Sequence, residues 1–439
     1  MPSTSQSAFT ASALQSVRSH RETQWKSLQS TTLSNGARVH VLPHGKHGIA
    51  AVEIWADVGA GDEPADLAGI SHLLEHMMFR GTHAVPDGAF DVQIQALGAH
   101  ANAWTWYDTT AYTAILGADH LQKLLALEAD RFQNLHITEA VFQSERDVVL
   151  NERALTADSD PNALAHEHLD RMLFGQGAYA RPVIGYKENI ASFEREQLTA
   201  WYQQHYAPHA LDIFVVGDVD PAHTHRLVEE SFGAIPATPP PSKAEAMRVT
   251  HQSDLEEAIE LAVAEPLILM AWGLPEGRDR RALLTWRMMS EILAFARGGT
   301  LRTALEHTKR LALYQDFYIQ EHRLGHSAVW EATPREGVSQ KKLVQGFYDT
   351  LQQIARGKLD AQLLEAARIR ILSHWASRNA PWQILQQLGE ALHTSQNLEN
   401  YLRDIDVLAA IDLADIQALA ARLANPQNNV LLFVAPEAS

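Results

Sequence analysis

The run Pro236-Ala237-Thr238-Pro239-Pro240-Pro241-Ser242-Lys243 divides this chain, because three consecutive prolines neither continue a helix nor sit inside a sheet. The two sides carry the same order of signals. Each opens on an apolar strand-like run, Val39 to Val58 and Ala258 to Trp272, followed by a Gly/Pro turn and an amphipathic helix. Each closes on another strand, Leu211 to Val216 and Asn429 to Val434. The pattern predicts a duplication in which residues 25–235 and 247–439 form two similar halves. A Pro-rich linker at 236–246 joins them, and a frayed polar leader occupies 1–24. The fold class expected is α+β, with helices packed on mixed, largely antiparallel sheets.

The two helices that follow the first turn differ in chemistry. The second, Arg281 to Ile292, has no histidine, whereas the first contains His72-Leu73-Leu74-Glu75-His76. At helical spacing His72 and His76 stand one turn apart on one face, so both imidazoles reach a single ion, and Glu75 lies beside them. This order is an inverted zincin pattern. A chain with 22 histidines meets it by chance often enough that context must decide. A catalytic zinc needs a third protein ligand and an open position. The segment Ser144 to Glu152 offers Glu145 and Glu152, seven residues apart and so on one helix face, one to ligate and the other to support; a solvated acidic face is the alternative. His166 and His168 are two apart and diverge on a helix, and His83 and His100 read as ordinary solvent-facing or satisfied histidines.

These residues, with their surroundings, resemble the pitrilysin family of zinc metallopeptidases. The resemblance rests on His72 to His76, on Glu152 standing 76 residues after His76, and on Val58-Gly59-Ala60-Gly61-Asp62-Glu63-Pro64 and Met78-Phe79-Arg80-Gly81-Thr82 around the motif. It extends through Asn102-Ala103-Trp104-Thr105, Leu173-Phe174-Gly175, Trp201 to Pro208 and Val215 to Asp220. It implies one Zn²⁺ per chain held by His72, His76 and Glu152, with Glu75 as general base and Glu145 supporting the ligands. It also implies a peptide or unfolded polypeptide substrate that adds as a strand along Ala101, Asn102, Ala103 and Trp104, with Asn102 near the scissile bond. Trp104 and Trp106 would be pocket walls, or ordinary core residues if read alone. The two halves together would form one side of a peptide chamber.

One departure concerns the second half. Active members resembling this chain carry there an arginine followed seven residues later by a tyrosine. Here registering on Tyr314 puts His307 in the arginine slot, and registering on Leu305 puts Glu306 there with Leu313 for tyrosine. A heterodimer with a paralogous subunit that carries the intact pair is therefore expected, a homodimer being the alternative; Arg302 or Arg310 could compensate after a local shift. The rival to an endopeptidase is a non-catalytic structural or peptide-binding homologue, against which the intact motif argues.

Composition narrows the rest. No cysteine is present, so metal chemistry falls to His and carboxylate. The net charge of −17 disfavours nucleic acid and would favour basic peptides if it lined a cavity, or else it is a solvated surface. No apolar run approaches the ~20 residues of a membrane span. No secretory signal is evident, which points to the cytoplasm, with periplasm and organelle as alternatives.

Overall fold

The computed structural model describes residues 4–239, 251–274, 279–294, 298–394 and 397–437; most of the expected linker lies outside them. The first sheet contains β1 (Gln29–Thr32), β2 (Arg38–Pro43), β3 (Ile49–Ala56), β4 (His100–Thr105), β5 (Thr110–Gly117) and β6 (Leu211–Gly217), in the order β1-β2-β6-β3-β5-β4. The second contains β7 (Leu255–Leu261), β8 (Leu267–Gly273), β9 (Ala312–Gln320), β10 (Ser327–Pro334) and β11 (Val430–Pro436), in the order β7-β11-β8-β10-β9. Both sheets have one parallel pair, β2 with β6 and β7 with β11, and are otherwise antiparallel. Substituting β7, β8, β9, β10 and β11 for β2, β3, β4, β5 and β6 turns one order into the other, apart from the added β1. The duplication expected from the linker is thus present strand by strand.

Two sequence readings change. Val39 to Val58 is not one strand but β2 and β3, separated at His44 to Gly48, where Gly45 and Gly48 adopt positive φ. Ala258 to Trp272 likewise divides into β7 and β8 around Pro266. The expected frayed leader is a helix, α1 (Thr4–Trp25). Leu14, Val17, Arg21 and Trp25 recur at three- and four-residue intervals and face inward. The Arg21 guanidinium lies 4.1 Å from the ring centres of both Trp375 and Tyr401, so a cation occupies an apolar position in the stripe and hides it from a composition-based reading.

The halves interlock. The helix Pro161–Phe174, from the first half, lays Ala165, Leu169 and Leu173 on Leu269, Ala271 and Leu432 of the second sheet. The helix Pro381–Gly389, from the second half, lays Ile384, Leu385 and Leu388 on Trp55, Phe214 and Val216 of the first. At Gly389 a Cβ would stand 2.1 Å from the Trp55 ring, so only glycine allows this approach. Each sheet is thereby covered on both faces, and β3, β6 and β8 are buried along almost their whole length, with Glu53 and Asp212 as the charged residues among otherwise apolar or small ones. Among the described residues no helix is long and apolar enough to cross a membrane.

Candidate active site

The motif occupies α2 (Ile70–Met77), which buries Ile70, Leu73, Leu74 and Met77 in the first core and turns His72, Glu75 and His76 outward along the remaining face. Its start is fixed by two devices. Gly69 has φ 98° and packs so closely on Ile184 and Gly185 that a Cβ would meet the Ile184 carbonyl at 2.5 Å. The Glu63 carboxylate accepts from the Gly69 and Ser71 backbone N–H groups at 2.7 and 2.8 Å, satisfying donors that the helix leaves open. Burial pushes the Glu63 carboxyl up to about 8, against the pull of those two donors.

The helix Glu139–Arg153, started by a Thr138 side-chain cap, runs beside α2 and presents Glu145 and Glu152 to it. Glu152 Oε2 lies 3.3 Å from His76 Nε2, and Glu152 Oε1 lies 3.9 Å from His72 Nε2. Ligand atoms of these three residues all lie within 4.8 Å of one another. Donors at about 2.0–2.2 Å from a tetrahedral zinc stand roughly 3.3 Å apart, so the cluster fits such an ion after small rotamer adjustments. Glu145 is elsewhere: its Oε1 lies 2.9 Å from His76 Nδ1 and its Oε2 3.3 Å from Arg80 Nε. His76 is therefore gripped on the nitrogen away from the cluster by one glutamate and faced on the other by the second.

Electrostatics follow from this arrangement. Burial, aided by repulsion from His76, pulls the His72 imidazole down to about 4, which keeps it neutral and able to donate a lone pair. Burial acts in the same direction on His76, but the hydrogen bonds and negative charges of Glu145 and Glu152 overcome it and hold that imidazole up at about 9. A proton on His76 thus supplies the positive charge that the two carboxylates attract, and a bound cation would displace it.

Glu75 leaves the ligand cluster and accepts the Thr105 hydroxyl at 2.6 Å. Burial raises its carboxyl above the usual range, against that hydrogen bond. Thr105 belongs to β4, the free edge of the first sheet, where alternate residues take opposite faces. Ala101 and Ala103 pack toward the core beneath α2, and their small size lets the helix approach the strand. Asn102 and Trp104 point the other way and are exposed, Trp104 resting edge-on against Trp55 at 5.4 Å. Trp104 and Trp106 are 36% and 44% exposed, so the core reading of these aromatics is excluded. Between β4 and α2 opens a cavity of 320 Å³ lined by Glu75, His76, Phe79, Asp87, Asp91 and Asn102, among others.

The remaining candidates lie apart. Tyr314 is on β9, the edge strand of the other sheet, and is 44% exposed. Arg302 is engaged by Glu306 at 3.2 Å, and Arg310 is exposed with φ 51°. His166 and His168 pair with Glu331 and Glu257 of the second half at 3.2 and 2.7 Å, and His83 stacks on His136. Reading the sequence alone missed Glu63, Arg80 and Thr105. Thr105 had a signal, since it shares the parity of Ala101 and Ala103 on the strand beneath the motif.

Residues 39–187 match the family model described as Insulinase (Peptidase family M16), and residues 192–371 match the one described as Peptidase M16 inactive domain. The chain is 30% identical over 213 residues to the beta subunit of mitochondrial-processing peptidase from Lentinula edodes, covering 48% of this chain and 45% of that one. It is 30% identical over 306 residues to an uncharacterized zinc protease of Streptomyces coelicolor, covering 67% of this chain and 62% of that one. The aligned region spans under half the length of most of the curated relatives it matches. In fold the chain is similar to a protease from Helicobacter pylori, with a TM-score of 0.86 at 21% identity over 93% of this chain and 99% of that one. With two M16 models falling one on each half, the motif helix in the first and a duplicated α+β fold throughout, the chain belongs to the peptidase M16 (insulinase/pitrilysin) family.

Proposed function

We propose that this chain is a zinc-dependent endopeptidase subunit. The observation that carries the reading is the convergence of His72, His76 and Glu152 within 4.8 Å, beside a buried Glu75 and a free strand edge. Zinc, when bound, supplies a Lewis acid that polarises the peptide carbonyl and makes water nucleophilic near neutrality. Glu75 takes the proton of the attacking water and returns it to the leaving amine. Glu145 holds His76 in the orientation that points Nε2 at the cluster. A peptide or unfolded polypeptide adds to β4 by backbone hydrogen bonds, with Asn102 near the scissile bond, one row of side chains meeting the 320 Å³ cavity and the other meeting Trp104. The test is metal content with peptide hydrolysis: one zinc per chain, and cleavage of an unstructured fluorogenic peptide that stops on chelation and returns with zinc. Hydrolysis indifferent to chelation of a demonstrably metal-free chain would remove the proposal.

The second half supports a further step in the same reading. Neither register supplies both arginine and tyrosine, Arg302 is tied to Glu306, and the model matched there is that of the inactive domain. The chain alone is expected to bind zinc and cleave poorly. A paralogous subunit with the intact pair should raise the catalytic constant as well as affinity, since contacts that strengthen in the transition state raise turnover, whereas a clamp that only gathered substrate would change the Michaelis constant alone. Full activity of a monodisperse preparation, unchanged by any such subunit, would mean that Tyr314 with Arg302 or Arg310 suffices.

A further inference from the structure

The loop between β9 and β10 enters the first half at the turns that frame α2 and β4. Arg323 Nη1 lies 2.8 Å from Asp57 Oδ1, its Nη2 2.8 Å from Asp62 Oδ1 and its Nε 3.8 Å from Asp108 Oδ1. The Arg323 backbone N–H donates to Asp108 Oδ2 at 2.7 Å. Each aspartate has a defined place. Asp57 follows β3, Asp62 closes the short turn that leads to Glu63 and so to the start of α2, and Asp108 sits in the turn between β4 and β5. The two turns touch backbone to backbone: Ala60 N–H donates to the Trp106 carbonyl at 3.0 Å and Gly61 N–H to the Tyr107 carbonyl at 2.6 Å. At Gly59 a Cβ would meet the Trp106 carbonyl at 2.3 Å.

Three carboxylates gathered around one guanidinium repel one another without it. The other groups facing the socket give little compensation. The Tyr179 hydroxyl donates to Asp108 Oδ1 at 2.7 Å, His322 is buried neutral against Tyr107 and Tyr179, and Glu321 is turned onto Arg287. Burial raises the Asp62 and Asp108 carboxyls, and the Arg323 charge opposes that rise.

We propose that Arg323 is a positioning residue: a cation supplied by the second half that keeps the turn before α2 and the turn after β4 in one register, and thereby sets Glu75 against the strand that receives substrate. The assignment to catalysis rests on the peptidase reading above; the register itself does not. In Arg323→Gln the repulsion among the three carboxylates is full at alkaline pH and fades as falling pH protonates the raised carboxyls of Asp62 and Asp108, so the defect relative to the parent protein should be largest at alkaline pH and narrow toward acid.

The experiment uses the full chain as Arg323→Gln and as Arg323→Gln with Asp108→Asn, each with zinc analysis, peptide kinetics between about pH 6 and pH 8, and amide hydrogen exchange of segments 57–62 and 104–110. Expected are unchanged zinc content, exchange at least ~10-fold faster in both segments, and a catalytic constant about 10–100-fold lower with a Michaelis constant changed less than ~3-fold. The Asp108→Asn change should recover part of both effects by removing one repelling charge. Unchanged exchange in the two segments, or a kinetic loss indifferent to both pH and Asp108→Asn, overturns the proposal. If neither parent nor variant hydrolyses peptides even beside a paralogous subunit that carries the intact arginine and tyrosine, but exchange responds as expected, the register stands and the peptidase reading falls.

Discussion

Glu75→Gln should lower turnover by at least ~10²-fold with zinc retained, because the change removes a proton acceptor and little else. Glu75 stands outside the group formed by His72, His76 and Glu152, so its replacement removes no ligand atom. Its position is set by the Thr105 hydroxyl, and a glutamine carbonyl still accepts that hydrogen bond, though more weakly than a carboxylate oxygen. Shape, anchoring and metal ligation thus survive while basicity is lost. The measurement is single-turnover cleavage by protein of verified zinc content. A zinc-loaded Glu75→Gln chain working near the parent rate would assign the base elsewhere; Glu145 and Glu152, the carboxylates in contact with the imidazoles, both engage His76.

Much of this arrangement is legible in the sequence because it is periodic or local. Histidines four apart fall on one helix face, glutamates seven apart fall on one face of another, and a strand of alternating alanines keeps one side thin. The duplication is legible too, since the order of strand and helix signals repeats across the prolines. What stays hidden depends on meetings between distant segments. The seven-residue interval of Glu145 and Glu152 does not say which one reaches the imidazoles from the cluster side; that is decided by the packing of the helix Glu139–Arg153 on α2, which sets Glu152 before both Nε2 atoms and Glu145 behind His76. The exchange of helices between the halves is invisible for the same reason, because an apolar stripe such as Ile384, Leu385 and Leu388 does not name the sheet it will cover. The α1 stripe is concealed in the sequence because Arg21 occupies an apolar position in it, packed against two rings.

The contrast between the two glutamates yields the other large effect. Glu152→Gln should weaken zinc binding by more than ~10²-fold, since an amide oxygen is a poorer ligand than a carboxylate and the negative charge around the ion falls by one. Glu145→Gln should keep most of the zinc and lower activity or metal affinity by about 10–100-fold, the range for partners that orient a ligand. The reason lies in geometry. Glu152 faces His72 Nε2 and His76 Nε2 at 3.9 and 3.3 Å, whereas Glu145 holds His76 Nδ1 at 2.9 Å and Arg80 at 3.3 Å, on the far side of the ring. Glutamine at 145 still accepts one hydrogen bond from Nδ1–H, so the ring stays oriented while its Nε2 becomes a weaker donor. It also leaves Arg80 with Asp87, at 3.2 Å, as its remaining carboxylate partner among the described residues, shifting positive charge toward the cavity beside β4. Metal titration of both variants against the parent separates the roles: zinc lost from the Glu145 variant and kept by the Glu152 variant would exchange the two assignments, and equal loss from both would mean that the helix Glu139–Arg153 contributes charge rather than a defined ligand.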